Sequence, residues 1–280
     1  MSTGQIFLLG AIAGATIFLG LPVGRMQRLG ANARAGLSSL ATGILVFLLW
    51  DVLSNAVDPI DAALQGHRWG RFGELSVLGA AGFIAGLMSL VYYDAWMQKR
   101  ANRRASPFVG PGAAAIDEFV ARQRIDLMNP AIRLAFLIAI GIGVHNFGEG
   151  LAIGQAAAGN EIGLAVTLII GFGLHNATEG FGICGPLTGA EIRPSWRLLG
   201  LLGLIGGGPT FLGTVVGQAW TSDAVSVVFF TVAGGSILYV VRELFAVNRK
   251  HGSPVLVSWL LVAGILLGFA TDFIVTAAGV

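Results

Sequence analysis

Charge is what this chain has least of. Only 11% of its 280 residues are Asp, Glu, Lys or Arg, while 55% are hydrophobic; a soluble domain carries about 25% charged residues. That shortfall excludes an ordinary water-soluble fold and defines an all-α polytopic membrane protein. Cysteine is nearly absent too. A single one, Cys184, excludes an internal disulfide framework and any Cys-based zinc module. In an apolar helix it reads as a small packing residue, or, because it follows the second motif described below, as a residue lining an ion path. Residues 1–20 contain no Lys or Arg, so the basic region of a cleavable signal peptide is missing and the first segment reads as a retained helix. The one sizeable polar stretch, Gln98 to Pro130, offers no folded platform, which excludes nucleic-acid binding. Its cluster Lys99-Arg100-Asn102-Arg103-Arg104 reads as a topology anchor facing anionic membrane lipids.

Glycine, by contrast, is plentiful: 42 residues, set inside the apolar runs, as close helix packing in a membrane requires. Eight hydrophobic segments reach spanning length: Gln5–Val23, Gly36–Val57, Leu75–Met97, Ala131–Ala158, Glu161–Leu187, Leu198–Trp220, Ala224–Val247 and Val255–Ala278. All of the 17 basic residues except Arg68 and Arg71 lie in or beside the odd-numbered loops. The excess of positive charge makes those loops cytoplasmic and places the N- and C-termini outside. The whole of 1–280 reads as one transmembrane domain of a multi-pass cell-membrane protein, with 98–130 as a cytoplasmic loop between the third and fourth helices. Within that loop Ser106-Pro107 and Gly110-Pro111-Gly112 break regular structure, and Ala113 to Leu127 is expected to form a short surface helix.

One phrase is written twice. His145-Asn146-Phe147-Gly148-Glu149-Gly150 returns as His175-Asn176-Ala177-Thr178-Glu179-Gly180. Asn160, in the turn Ala158-Gly159-Asn160-Glu161, lies midway between the two His, so an antiparallel helix pair brings the copies to one depth. That depth is roughly 22 Å along the axis, at about 1.5 Å per residue, inside a bilayer. In each copy His at i and Glu at i+4 share a helical face. Each buried carboxylate costs at least about 2.5 kcal/mol on insertion scales, which argues for a purpose. Mixed N and O ligands suit Zn, Fe(II) or Mn, and carboxylates can bridge two metals. The alternative is a polar lock between two helices, with the Glu residues protonated. Other ionisable residues sit in or near the spans: Asp51 beside Trp50, Asp94, Glu243 beside Arg242, and Asp272. Asp94 can pair with Arg133 or line an exit path, and Glu243 offers the same choice with Arg242. His67 and His251 read as solvated loop residues.

The eight spans and the paired His-Asn-x-x-Glu-Gly phrases together resemble the ZIP (ZRT/IRT-like) family of divalent-metal transporters over nearly the whole length. The resemblance implies a ZIP-like bundle and transport of divalent transition-metal ions toward the cytoplasm, with zinc the expected cargo and no resident cofactor. It maps His145, Asn146, Glu149, His175, Asn176 and Glu179 onto the family's transport-site ligands, and Glu243 onto an exit-path acid of the seventh helix. Asp51 and Asp94 are further path residues, and a homodimer stays open. The chain departs from the family pattern where Gly148 and Thr178 replace Pro before the motif Glu, and where the third loop has no His-rich run. The second-helix position that often shapes the site is Ile44 or Leu45, without sulfur. Gly206-Gly207-Gly208-Pro209-Thr210 lacks the acid that many relatives carry on the sixth helix. With two anions on the motif helices, one tightly held ion per protomer is expected, and an acid put at Gly208 is expected to strengthen a second position. The competing readings are an intramembrane metalloenzyme, weakened by the lack of HExxH and of an obvious nucleophile, and a proton or cation channel relayed by Glu149 and Glu179.

Overall fold

The computed structural model describes residues 3–26, 30–104, 129–158, 173, 176–188, 193–219, 222–251 and 253–277. Its elements are helical: α1 (Thr3–Ala15), continued by 3-10 turns Thr16–Leu19 and Leu21–Arg25; α2 (Ala31–Gln65); α3 (Trp69–Arg104); α4 (Pro130–Ala158); α5 (176–184), closed by the turn Gly185–Leu187; α6 (Trp196–Gly217); α7 (Asp223–His251); and α8 (Pro254–Ala277). Seven of them are long and apolar enough to cross a membrane among the described residues, so the protein is a polytopic membrane protein. The eighth expected segment, Glu161–Leu187, is described only at 173 and from 176 onward. The turn at Asn160 and the surface helix expected at Ala113 to Leu127 lie outside the described residues.

Helix ends follow local chemistry. Ser195 caps α6, its hydroxyl accepting the Leu198 N–H at 3.1 Å. Asn129 does the same for α4, its side-chain oxygen accepting the Ala131 N–H at 2.9 Å. Two helices overrun the expected spans most. α3 continues to Arg104, so residues 98–104 of the expected loop are helical; a basic run favours the negative end of the helix dipole. α2 passes through Pro59 and ends at Gln65. Proline withdraws the N–H that would serve the Asn55 carbonyl, and the exposed position of Asn55 leaves that carbonyl open to other donors. The chain then reverses at His67, whose φ of 52° is left-handed.

The helices fall into two sets. α1, α4 and α6 pack together, and α2, α3, α7 and α8 pack together; α4 against α7 is the main contact between the sets. Glycines let the backbones meet. A Cβ on Gly14 (α1) would strike the Gly207 carbonyl of α6, and one on Gly43 (α2) the Leu261 carbonyl of α8. Gly86 (α3) similarly abuts Val232 of α7, and Gly213 (α6) abuts Phe147 of α4. In lipid no hydrophobic force draws helices together, so this close approach and the dispersion it allows hold the pairs. Between the sets runs an apolar core that includes Leu48, Leu137, Ile138, Ile237 and Val240. Apolar side chains such as Leu8, Val77, Trp259, Leu266 and Phe273 face outward, as a lipid-facing surface should.

Candidate functional site

The α4–α6 pair sets up the site. Pro209 has no N–H for the Ile205 carbonyl one turn back, and at that carbonyl Gly143 of α4 makes its closest approach. The next carbonyl, Gly206, accepts the Asn146 Nδ2–H at 3.0 Å. Asn146 is thereby fixed, and its Nδ2 also donates to Glu179 Oε2 of α5 at 2.9 Å. On α5, Asn176 Nδ2 donates to the Ala13 carbonyl of α1 at 2.9 Å. Each asparagine uses its amide N–H to tie its helix to another backbone.

Those ties bring three ligand-type groups together. His145 Nε2 lies 3.3 Å from Glu149 Oε1 and 3.8 Å from Glu179 Oε1. Ligand atoms of His145, Glu149 and Glu179 all lie within 4.8 Å of one another, and all three residues are buried. Asn146, Asn176 and Glu179 are 0% exposed, so no bulk water solvates the cluster. Three oxygens, Asn146 Oδ1, Glu149 Oε2 and Asn176 Oδ1, have no hydrogen-bond partner among the described residues. Buried polar atoms in that state point to something that binds there. Two carboxylates and an imidazole at this spacing form a donor set fitted to a divalent cation. His175 lies outside the described residues.

Of the remaining ionisable residues, Asp51 is within electrostatic reach of His145, Glu149 and Glu179, and also of Asp272 on α8. Its carboxylate Oδ1 accepts a bond from Asn55 at 3.3 Å. Asp94 and Glu243 are elsewhere, around a cavity of about 260 Å³ also lined by Ser38, Arg133, Pro186 and Tyr239. There Arg133 Nε meets Asp94 Oδ1 at 2.8 Å, joining α3 to α4, and Arg242 holds Glu243 at 2.6 Å. Cys184 is fully buried, with its thiol 3.2 Å from the Leu21 carbonyl and against Gly24; it packs α5 on α1.

One expectation from the sequence is corrected. A side chain at Gly208 would meet only Leu204, 3.7 Å away, and would enter a groove between α1 and α6 lined by Ala11, Phe18, Phe211 and Leu212. None of His145, Glu149 and Glu179 lines that groove, so an acid placed there starts outside the cluster. The α6 features that do approach the site were illegible in the sequence: the Gly206 carbonyl is backbone, and only the fold shows which carbonyl it is.

The described residues thus combine seven helices long and apolar enough to cross a membrane with a buried group of one imidazole and two carboxylates that could hold a metal ion. The chain matches the ZIP zinc transporter family over residues 113–276, more than half of its length, and it belongs to that family. The match takes in both motif copies and everything from α4 to nearly the end of α8. No curated protein matches the chain closely enough to add to that assignment. Membership makes divalent-metal transport the function class, and the family's members are transporters rather than enzymes.

Proposed function

We propose that this protein carries a divalent transition-metal ion, with zinc the expected cargo, toward the cytoplasm through a site made by His145, Asn146, Glu149, His175, Asn176 and Glu179. The single observation that carries the reading is the gathering of His145, Glu149 and Glu179 ligand atoms within 4.8 Å in a buried space. Glu149 and Glu179 bring the negative charge a dehydrated cation needs, and His145 brings the nitrogen that favours zinc-like ions. Asn146 positions Glu179 and offers its own carbonyl oxygen. The whole chain acts as one domain with eight spans and both ends outside, the 98–130 loop lying in the cytoplasm. On that topology the cavity bounded by Asp94, Arg133, Tyr239 and Glu243 lies at the inner end and is the exit path, while Asp51 stands on the outer side as the entry acid. Lipid and the metal ion are the required partners; a homodimer is compatible with this arrangement.

Purified protein in liposomes tests the reading. Zinc should accumulate in proteoliposomes, and Glu149→Ala, Glu179→Ala or His175→Ala should each reduce uptake to near background while the protein remains folded. Arg122→Ala, in the soluble loop, should leave uptake unchanged. Normal uptake by all three site variants would place the ion elsewhere.

A further inference from the structure

We propose that the Thr210 hydroxyl is a further oxygen ligand of the transported cation, supplied by α6, and that ions seeking a high coordination number depend on it more than tetrahedral zinc does. The proposal rests on the ion-site reading above and adds a residue that neither repeated phrase contains.

Thr210 is 0% exposed, and its Oγ1 has no hydrogen-bond partner among the described residues. A hydroxyl inside a helix has a ready escape from that condition, because it can turn back to the carbonyl four residues earlier. Other buried hydroxyls of this protein do so. Ser39 bonds Ala35 at 2.7 Å, Thr42 bonds Ser38 at 2.7 Å, Thr214 bonds Thr210 at 2.9 Å, and Ser236 bonds Val232 at 2.9 Å. For Thr210 the corresponding carbonyl is that of Gly206, which is already engaged by Asn146 Nδ2 at 3.0 Å. The residue that positions the Glu179 carboxylate therefore occupies the acceptor Thr210 would otherwise use.

Position agrees with this. Thr210 stands one helical turn beyond Gly206 on the same face of α6. Its Cβ would lie 3.2 Å from a Cβ on Gly14, the neighbour of the Ala13 whose carbonyl holds Asn176. Its carbonyl meets Gly150, the neighbour of Glu149. Thr210 is thus bracketed by residues adjoining the site on α1 and α4. Its oxygen joins Asn146 Oδ1, Glu149 Oε2 and Asn176 Oδ1 as buried oxygens without a partner among the described residues.

The chemistry gives the direction of the effect. A hydroxyl adds a ligand without adding charge. Zinc is satisfied by four ligands, whereas Mn²⁺ seeks a near-octahedral, oxygen-rich shell. Removing one neutral oxygen should weaken the ion that needs the higher coordination number. Thr210→Val keeps the branched shape and removes the oxygen, Thr210→Ser keeps the oxygen, and Thr210→Ala is a second deletion should the valine variant fail to fold. Equilibrium dialysis of the purified full-length variants against Zn²⁺ and Mn²⁺ separately reads binding without transport. The Mn²⁺ dissociation constant should rise about tenfold in Thr210→Val, with Zn²⁺ shifted far less and Thr210→Ser close to the unmodified protein. Glu179→Ala is run alongside. If it loses both ions while Thr210→Val binds both normally, the ion site stands and the Thr210 assignment falls. If Glu179→Ala also binds normally, the site reading falls and takes the assignment with it. Unmodified protein that holds no Mn²⁺ at millimolar concentration overturns the assignment as well.

Discussion

Asn146 does two jobs with one amino group. Its Nδ2 reaches both Glu179 Oε2 and the Gly206 carbonyl, which ties the carboxylate of one helix to the backbone of another. Asn146→Ala should therefore do more than remove a proposed ligand. It frees Glu179 to leave the cluster, and metal affinity measured by dialysis should fall about 10–100-fold. It also strands a buried carbonyl and carboxylate, so unfolding in detergent should become easier by about 1–3 kcal/mol. Acid should act on the same residues by a different route. Metal binding takes the neutral imidazole and the ionised carboxylates, so protons compete for every ligand. Lowering external pH from about 7 to 5, the range in which an ordinary imidazole titrates, should weaken apparent affinity in uptake assays. Flat affinity over that window would argue against His145 and His175 as ligands. At this scale the sequence was informative wherever chemistry is carried by side chains in a repeated order. The i, i+4 spacing of His145 and Glu149 and the second copy with Glu179 announced the cluster. The carbonyls of Ala13 and Gly206 could not be announced, because backbone chemistry is the same at every residue and only packing selects which one is used.

Among the helices, neighbouring glycines behave as opposites. A Cβ at Gly207 would run into the Gly14 carbonyl of α1, while one at Gly208 meets only a Leu204 side chain. Gly207→Ala should force α1 and α6 apart and destabilise the fold by about 1–3 kcal/mol. Gly208→Ala should be neutral or stabilise α6 by up to about 1 kcal/mol through helix propensity alone. Thermal or denaturant unfolding of the two variants in one detergent checks the contrast; equal effects would mean that α1 and α6 are not in this close contact. Glycine content predicted close packing, but the glycines that face a partner cannot be told from those that face a groove without the helix rotation. Helix lengths were misjudged for a related reason. Hydropathy marks where an apolar run ends, and α3 continues past that point to Arg104, through residues of good helix propensity.

For the whole molecule, the assignment that needs a direct measurement is which end faces the cell. Single cysteines placed in a Cys184→Ser background and treated with an impermeant reagent should label at Ala62 in intact cells and should not label at Arg103. Outside labelling at 103 would invert the topology and with it the direction of transport. The two helix sets are joined across α3 and α4 by Arg133 and Asp94, whose side chains are 18% and 11% exposed. Arg133→Met removes the guanidinium 2.8 Å from the sheltered Asp94 carboxylate and should destabilise the protein by about 3 kcal/mol. Adding Asp94→Asn to that variant should recover much of the loss. The pairing of Asp94 with Arg133 was one of two roles the sequence left open, because a span-end acid beside a basic residue is the same pattern whether the pair is closed or parted.

The seam between Gly43 and Gly264 has a consequence for how the protein is made. α2 leaves the ribosome well before α8, yet α8 rests chiefly on α2, with each glycine at the other's backbone. During synthesis the α8-facing side of α2 must therefore wait in the lipid until α8 arrives. Membrane quality control has that whole interval in which to find an open glycine face. A nascent chain stopped before Pro254 would display that face permanently, so truncation there should shorten the protein's lifetime in the membrane far more than loss of one peripheral helix would suggest. Pulse-chase decay of a chain ending at residue 253, compared with the full chain, measures how long the molecule can be left waiting.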